Sequence, residues 1–198
     1  MSVSQSVNAA ARKLPAWPLY PILLFPGFWL FWTVLQNPGP NPVEALEHGL
    51  GEYALKLLVL GLLVTPLRDL GGLNLIKYRR AIGLMAFFYV CAHLLVYLVL
   101  DNQFWWDALI KDITKRPYII VGVLAFLILI PLAVTSNNLS IRKLGPKRWR
   151  QIHYGAYLAV ILGAAHFVML KKTWQTEPLV YLAIAVILVA YRIPKLIR

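Results

Sequence analysis

Residues 78–97 read YRRAIGLMAFFYVCAHLLVY. From Ala81 to Leu100 no side chain is charged, and about 20 helical residues rising about 1.5 Å each match the roughly 30 Å hydrocarbon layer of a bilayer. The stretch is predicted as a membrane-spanning helix, entered through the basic pair Arg79-Arg80 and carrying His93. Working outward, similar apolar runs occur at 19–35, 48–67, 117–135, 152–170 and 178–193. The expected fold is therefore all-α, a polytopic bundle of six transmembrane helices forming one domain over residues 1–198.

Composition agrees. Residues of the AVILMFWYC set make up 60% of the 198, and charged residues only 14%, against about 25% in soluble domains. The loops left over are too short for a separate catalytic domain, so chemistry must sit within the bundle. The first span lacks a small-residue cleavage site and is expected to be retained. The formal charge of +12 does not point to nucleic acid, because the 20 Lys and Arg fall in clusters between apolar runs. The N-terminus and the 68–80, 142–150 and C-terminal segments hold fourteen of them, and the intervening loops hold five. Basic residues stay on the cytoplasmic side, so both termini are expected there, which requires an even number of spans. The single cysteine, Cys91, excludes a disulfide within the chain and any Cys-based cluster.

Three of the four histidines, His93, His153 and His166, lie in or beside spans three and five. A single membrane histidine is usually a packing residue; three on two helices of the same direction point to iron ligation. His93 follows Arg80 by 13 residues and His166 follows Arg150 by 16, or about 20 and 24 Å of helical rise. At matched depth, one imidazole from each helix can clamp a flat macrocycle from both sides, beside the small run Gly163-Ala164-Ala165. His153 lies 13 residues before His166, about 20 Å lower and on another face of an ideal helix. One iron cannot use both, and the residue opposite His153 on helix three is Arg79. For His48, capping competes with ligation. The Glu52/Lys56 pair is either an i, i+4 ion pair or places Lys56 near a haem propionate. Arg68, Arg79 and Arg80 serve topology or contact a flavin or quinone, and Tyr89 and Tyr97 are core aromatics or redox relays.

Four segments carry a resemblance: HGLGEYALKLLVLGLLVTPLRD (48–69), YRRAIGLMAFFYVCAHLLVY (78–97), TKRPYIIVGVLAFLILIPLAVTSN (114–137) and LGPKRWRQIHYGAYLAVILGAAHF (144–167). The chain resembles the MsrQ/YedZ family, haem-binding membrane subunits of the bacterial periplasmic protein-methionine-sulfoxide reductase system, within the ferric-reductase-like transmembrane domains. That resemblance implies haem b, one or two groups, associated with His93, His153 and His166. It implies electrons from the quinol pool, with FMN as a further cofactor. It also implies delivery to a periplasmic molybdopterin-containing reductase of the MsrP type, from the bacterial inner membrane. The NADPH oxidases of the wider group pair two histidines on helix three with two on helix five, whereas helix three here offers only His93. Those oxidases also continue into a flavin and nicotinamide domain, for which 198 residues leave no room, so electrons are expected from a separate donor. No sulfoxide-reducing site is expected on this chain. A stand-alone ferric or oxygen reductase and a cofactor-free transporter or assembly scaffold are the competing readings.

Overall fold

The computed structural model describes residues 3–170 and 173–194, and every regular element among them is helical. Lys171, Lys172, Lys195 and Arg198, used above for orientation, lie outside the described residues. The helices are α1 (Val3–Lys13), α2 (Leu19–Gln36), α3 (Pro42–Gly71), α4 (Arg79–Leu95), α5 (Trp106–Lys115), α6 (Pro117–Val134), α7 (Asn138–His153), α8 (Gly155–Leu170) and α9 (Thr176–Ala190). Five helical stretches are long and apolar enough to cross a membrane: 19–36, 42–71, 76–101, 117–134 and 138–170. The last apolar helix, α9, has 15 residues, fewer than the sixth span was expected to have.

Local chemistry explains where the elements depart from expectation. α3 starts six residues early because the Asn41 side chain accepts from the Glu44 N–H and Pro42 occupies the first turn. Pro66 does not end it; Gly72 does, with a left-handed φ of 68°. Span three does not stay α-helical: Val96–Asp101 is a π-helical turn. The expected 101–116 loop folds into α5, and the 142–150 loop lies in α7, which bends at Gly145 (φ 76°) before Pro146. The regular hydrogen-bond pattern is interrupted at Tyr154, which keeps helical dihedrals (φ −65°, ψ −22°), so His153 ends α7 and His166 belongs to α8.

Close approaches hold the bundle together. In α2, Pro26 has no N–H to offer, and beside it the Tyr89 hydroxyl of α4 meets the backbone, accepting from Gly27 N–H (2.9 Å) and donating to Leu23 C=O (2.7 Å). Tyr89 is buried and packs on Tyr53 of α3. Leu55 and Leu62 of α3 meet Val160 and Ala164 of α8 and Ala185 and Leu188 of α9. The exposed aromatics of α2, including Phe25, Phe28, Trp29 and Trp32, form an apolar outer face suited to lipid.

The basic segments gather at one end. α1 packs on the turn after α3, with Asn8 donating to Gly72 C=O (2.7 Å) and accepting from Asn74 N–H (2.8 Å). The far end of α9 reaches the same place, where Arg192 donates to Leu62 C=O at 2.8 Å. Pro66, four residues beyond Leu62, has no N–H to offer that carbonyl, and the guanidinium takes its place.

Candidate functional site

Two cavities divide the interior by level. The one away from the basic end is lined by α3 from Glu47 to Leu58, α4 from Val90 to Leu94, α6 from Ile119 to Leu129 and α8 from Ala159 to Leu170. His93 and His166 enter it from α4 and α8, with ring centres 6.2 Å apart and planes at 81°. The structure therefore brings together the two histidines that counting from the basic clusters put at one depth.

Each imidazole is oriented by a neighbouring helix. His93 Nδ1 lies 2.8 Å from Glu47 C=O in α3, and His166 Nδ1 lies 2.7 Å from Tyr118 C=O in α6. A carbonyl can only accept, so Nδ1 carries the proton in both rings and Nε2 keeps its lone pair. Two imidazoles sharing one metal through bonds of about 2.0 Å, with roughly 1.1–1.2 Å from nitrogen to ring centre, have centres about 6.2–6.4 Å apart. The observed 6.2 Å fits that span. Gly51, Ala54, Gly122, Ala125, Ala159 and Gly163 leave side-chain bulk out of the walls, as a flat macrocycle needs. The donor set and its surroundings fit haem.

The cation at this cavity is Arg116, whose Nε donates to Asp112 Oδ1 (2.9 Å); the Tyr97 hydroxyl donates to Asp112 Oδ2 (3.0 Å). Tyr97 and Arg116 thereby tie the π-helical turn and α5 across the cavity mouth. His48 also lines the cavity, 3.8 Å from Glu44. Lys56 is ion-paired with Glu52, lies over the Tyr53 ring and is absent from the cavity lining. The ion-pair reading of that residue is the one the geometry supports.

His153 is not part of this constellation. It lines the second, larger cavity at the basic end with Arg68, Arg79, Arg80, Arg150 and Arg192. Its ring stacks on Trp149, with centres 3.9 Å apart, and its Nε2 lies 3.1 Å from Thr135 Oγ1. The Thr135 hydroxyl also lies 2.6 Å from Pro131 C=O; with its single proton given there, it accepts from His153 Nε2–H. His153 thus presents its other nitrogen, the reverse of His93 and His166. Among the described residues, only Arg68 of these five arginines has a carboxylate within ion-pair distance, Asp69 at 2.7 Å. Arg192 is 6% exposed and its Nε has no hydrogen-bond partner. A cavity so charged favours an anionic occupant. Sequence reasoning missed Arg192, which carried only a topological meaning, and Gly122, whose signal was a lone glycine in an apolar helix.

The ferric reductase like transmembrane component family model matches residues 50–164, over half of the chain, and the chain belongs to that family. A relative from Agrobacterium fabrum is 52% identical over 187 residues, covering 93% of this chain and 86% of its own length. Relatives from Brucella anthropi and Brucella ovis are 44% and 45% identical over 180 residues, each covering 90% of this chain and 81% of their own. All three are named protein-methionine-sulfoxide reductase heme-binding subunit MsrQ, and it is within this MsrQ branch that the chain falls.

Proposed function

We propose that the chain is the haem b electron-transfer subunit of a protein-methionine-sulfoxide reductase. It takes electrons at its basic end from a quinol, with FMN as a further carrier, and delivers them to a periplasmic molybdopterin reductase of the MsrP type that repairs oxidised methionines. The observation that carries this reading is the His93/His166 pair, each Nδ1 committed to a carbonyl and the ring centres one bis-imidazole span apart. Haem bound there supplies a one-electron iron couple. His93 and His166 hold it, the apolar walls exclude water, and Arg116 is placed to balance a haem carboxylate. The basic-end cavity, with His153, Arg68, Arg79 and Arg80, is the entry side for electrons; its arginines suit a flavin phosphate or a reduced quinone.

In this reading the protein is a bacterial inner-membrane protein with six crossings and both termini cytoplasmic. The 15 residues of α9 rise about 22 Å, and a thinned bilayer with flanking polar anchors accommodates that length.

The test is to reduce the purified chain and add the molybdopterin partner with and without a methionine sulfoxide substrate. Rapid, substrate-dependent reoxidation, with no sulfoxide reduction by the chain alone, is expected. A chain that stays reduced with a competent partner yet is quickly oxidised by ferric chelates is a stand-alone reductase, and the proposal falls.

A further inference from the structure

The two histidines are held by one device used twice. His93 of α4 reaches the carbonyl of Glu47 in α3, and four residues on from Glu47 stands Gly51. His166 of α8 reaches the carbonyl of Tyr118 in α6, and four residues on from Tyr118 stands Gly122. In an α-helix the carbonyl of residue i points toward the N–H of residue i+4, so a side chain at i+4 guards the approach to that carbonyl. A Cβ on Gly51 would lie 3.2 Å from His93 Nδ1 and 3.3 Å from its Cε1. A Cβ on Gly122 would lie 2.9 and 3.0 Å from the same atoms of His166. Any yielding of either ring comes at the expense of this bond, because Nδ1 is the atom bonded to the carbonyl.

We infer that Gly51 and Gly122 are positioning residues, each clearing the face of a helix so that a histidine from the next helix can donate Nδ1–H to the carbonyl one turn back. The inference rests on the bis-histidine haem reading above and adds what sets its electronic properties. A shared Nδ1 proton makes imidazole a more basic ligand and stabilises the ferric state. The two carbonyls, fixed on different helices, also hold the ring planes at 81°, the near-perpendicular arrangement that gives low-spin ferric haem a strongly anisotropic electron paramagnetic resonance.

Gly122→Ala must displace the His166 ring, whereas Gly51→Ala asks His93 to yield only a few tenths of an ångström. Haem affinity should therefore fall about 10- to 100-fold in Gly122→Ala, the usual effect of losing a partner that orients a metal ligand, with haem leaving faster, and by a smaller factor in Gly51→Ala. Loss of ligand basicity should make the midpoint potential of the haem that remains more positive, and the resonance should move as the rings rotate. The experiment is a redox titration, a resonance spectrum and a haem-capture rate on the purified parent and both variants. A merely structural glycine would reduce the yield of loaded protein and leave the potential and resonance of the loaded fraction unchanged. If Gly122→Ala does not accumulate, Gly51→Ala decides alone: a more positive potential and a shifted resonance support the device. A parent with bis-imidazole haem and variants with parental potential and resonance overturn this inference alone. A parent without bis-imidazole haem overturns the site reading as well.

Discussion

Replacing Tyr89 by phenylalanine removes one oxygen that closes two backbone groups in another helix. The Tyr89 hydroxyl accepts from Gly27 N–H at 2.9 Å and donates to Leu23 C=O at 2.7 Å. Interhelical hydrogen bonds in membrane proteins average about 0.6 kcal/mol each, so two of them are expected to contribute roughly 1 kcal/mol. The upper figure depends on whether α2 can close its own ladder. Gly27 N–H and Leu23 C=O are related as i and i−4, and pairing with each other once the hydroxyl is gone would hold the loss near about 1 kcal/mol. If they stay apart, one part-buried group left unpaired adds about 1–3 kcal/mol, so the expected loss spans about 1–4 kcal/mol. Reversible unfolding of Tyr89→Phe and the parent in mixed detergent micelles measures it. Haem content and reduction rate should stay at parental values, since Tyr89 is absent from the lining of both cavities. A loss below about 0.5 kcal/mol would refute a stabilising tie between the Tyr89 hydroxyl and α2, and a slowed reduction at parental stability would return Tyr89 to an electron-relay role.

Three further outcomes follow from the basic end and the cavity mouth. His153→Ala should keep the haem at His93 and His166 but slow its reduction by a quinol or flavin donor; parental haem content and reduction rate would make His153 a packing residue. Arg192→Leu should destabilise the chain by about 1.5–3 kcal/mol through loss of a charged donor to Leu62 C=O. Most of that cost should vanish in a Pro66→Ala background, where an N–H at position 66 can serve the carbonyl; simple additivity in this double-mutant cycle would contradict the replacement of a backbone donor by the guanidinium. Asp112→Asn should loosen the tie between Tyr97 and Arg116, and haem loss to a scavenging apoprotein should accelerate severalfold; an unchanged rate would show that this tie does not close the cavity.

The parts of this molecule legible in the sequence are those that depend on one helix at a time. Charge-free length gave the apolar runs, and distance from Arg80 and Arg150 matched His93 with His166 before any contact was known. The interruption at Tyr154 was harder to see, because it falls inside the apolar run 152–170 and carries no charge. The π-helical turn at Val96–Asp101 and α5 lay in a segment read as loop, where Asp107, Lys111, Asp112 and Lys115 masked the periodicity of Trp106, Leu109, Ile110 and Ile113. The partners of the histidines were out of reach for a different reason. Glu47 and Tyr118 act through main-chain oxygens, which every residue possesses, and Gly51 and Gly122 act by lacking a side chain. Only the pairing of α3 with α4 and of α6 with α8 turns these into a site.

The absorption spectrum of the purified protein beside His93→Ala and His166→Ala tests the central claim most directly. The parent should show a six-coordinate, low-spin haem, non-covalently held because the chain has no Cys-x-x-Cys-His motif. Each alanine variant should lose that low-spin signature together with most of the haem held in the cavity away from the basic end. A full six-coordinate spectrum in both variants would contradict the pairing of His93 with His166.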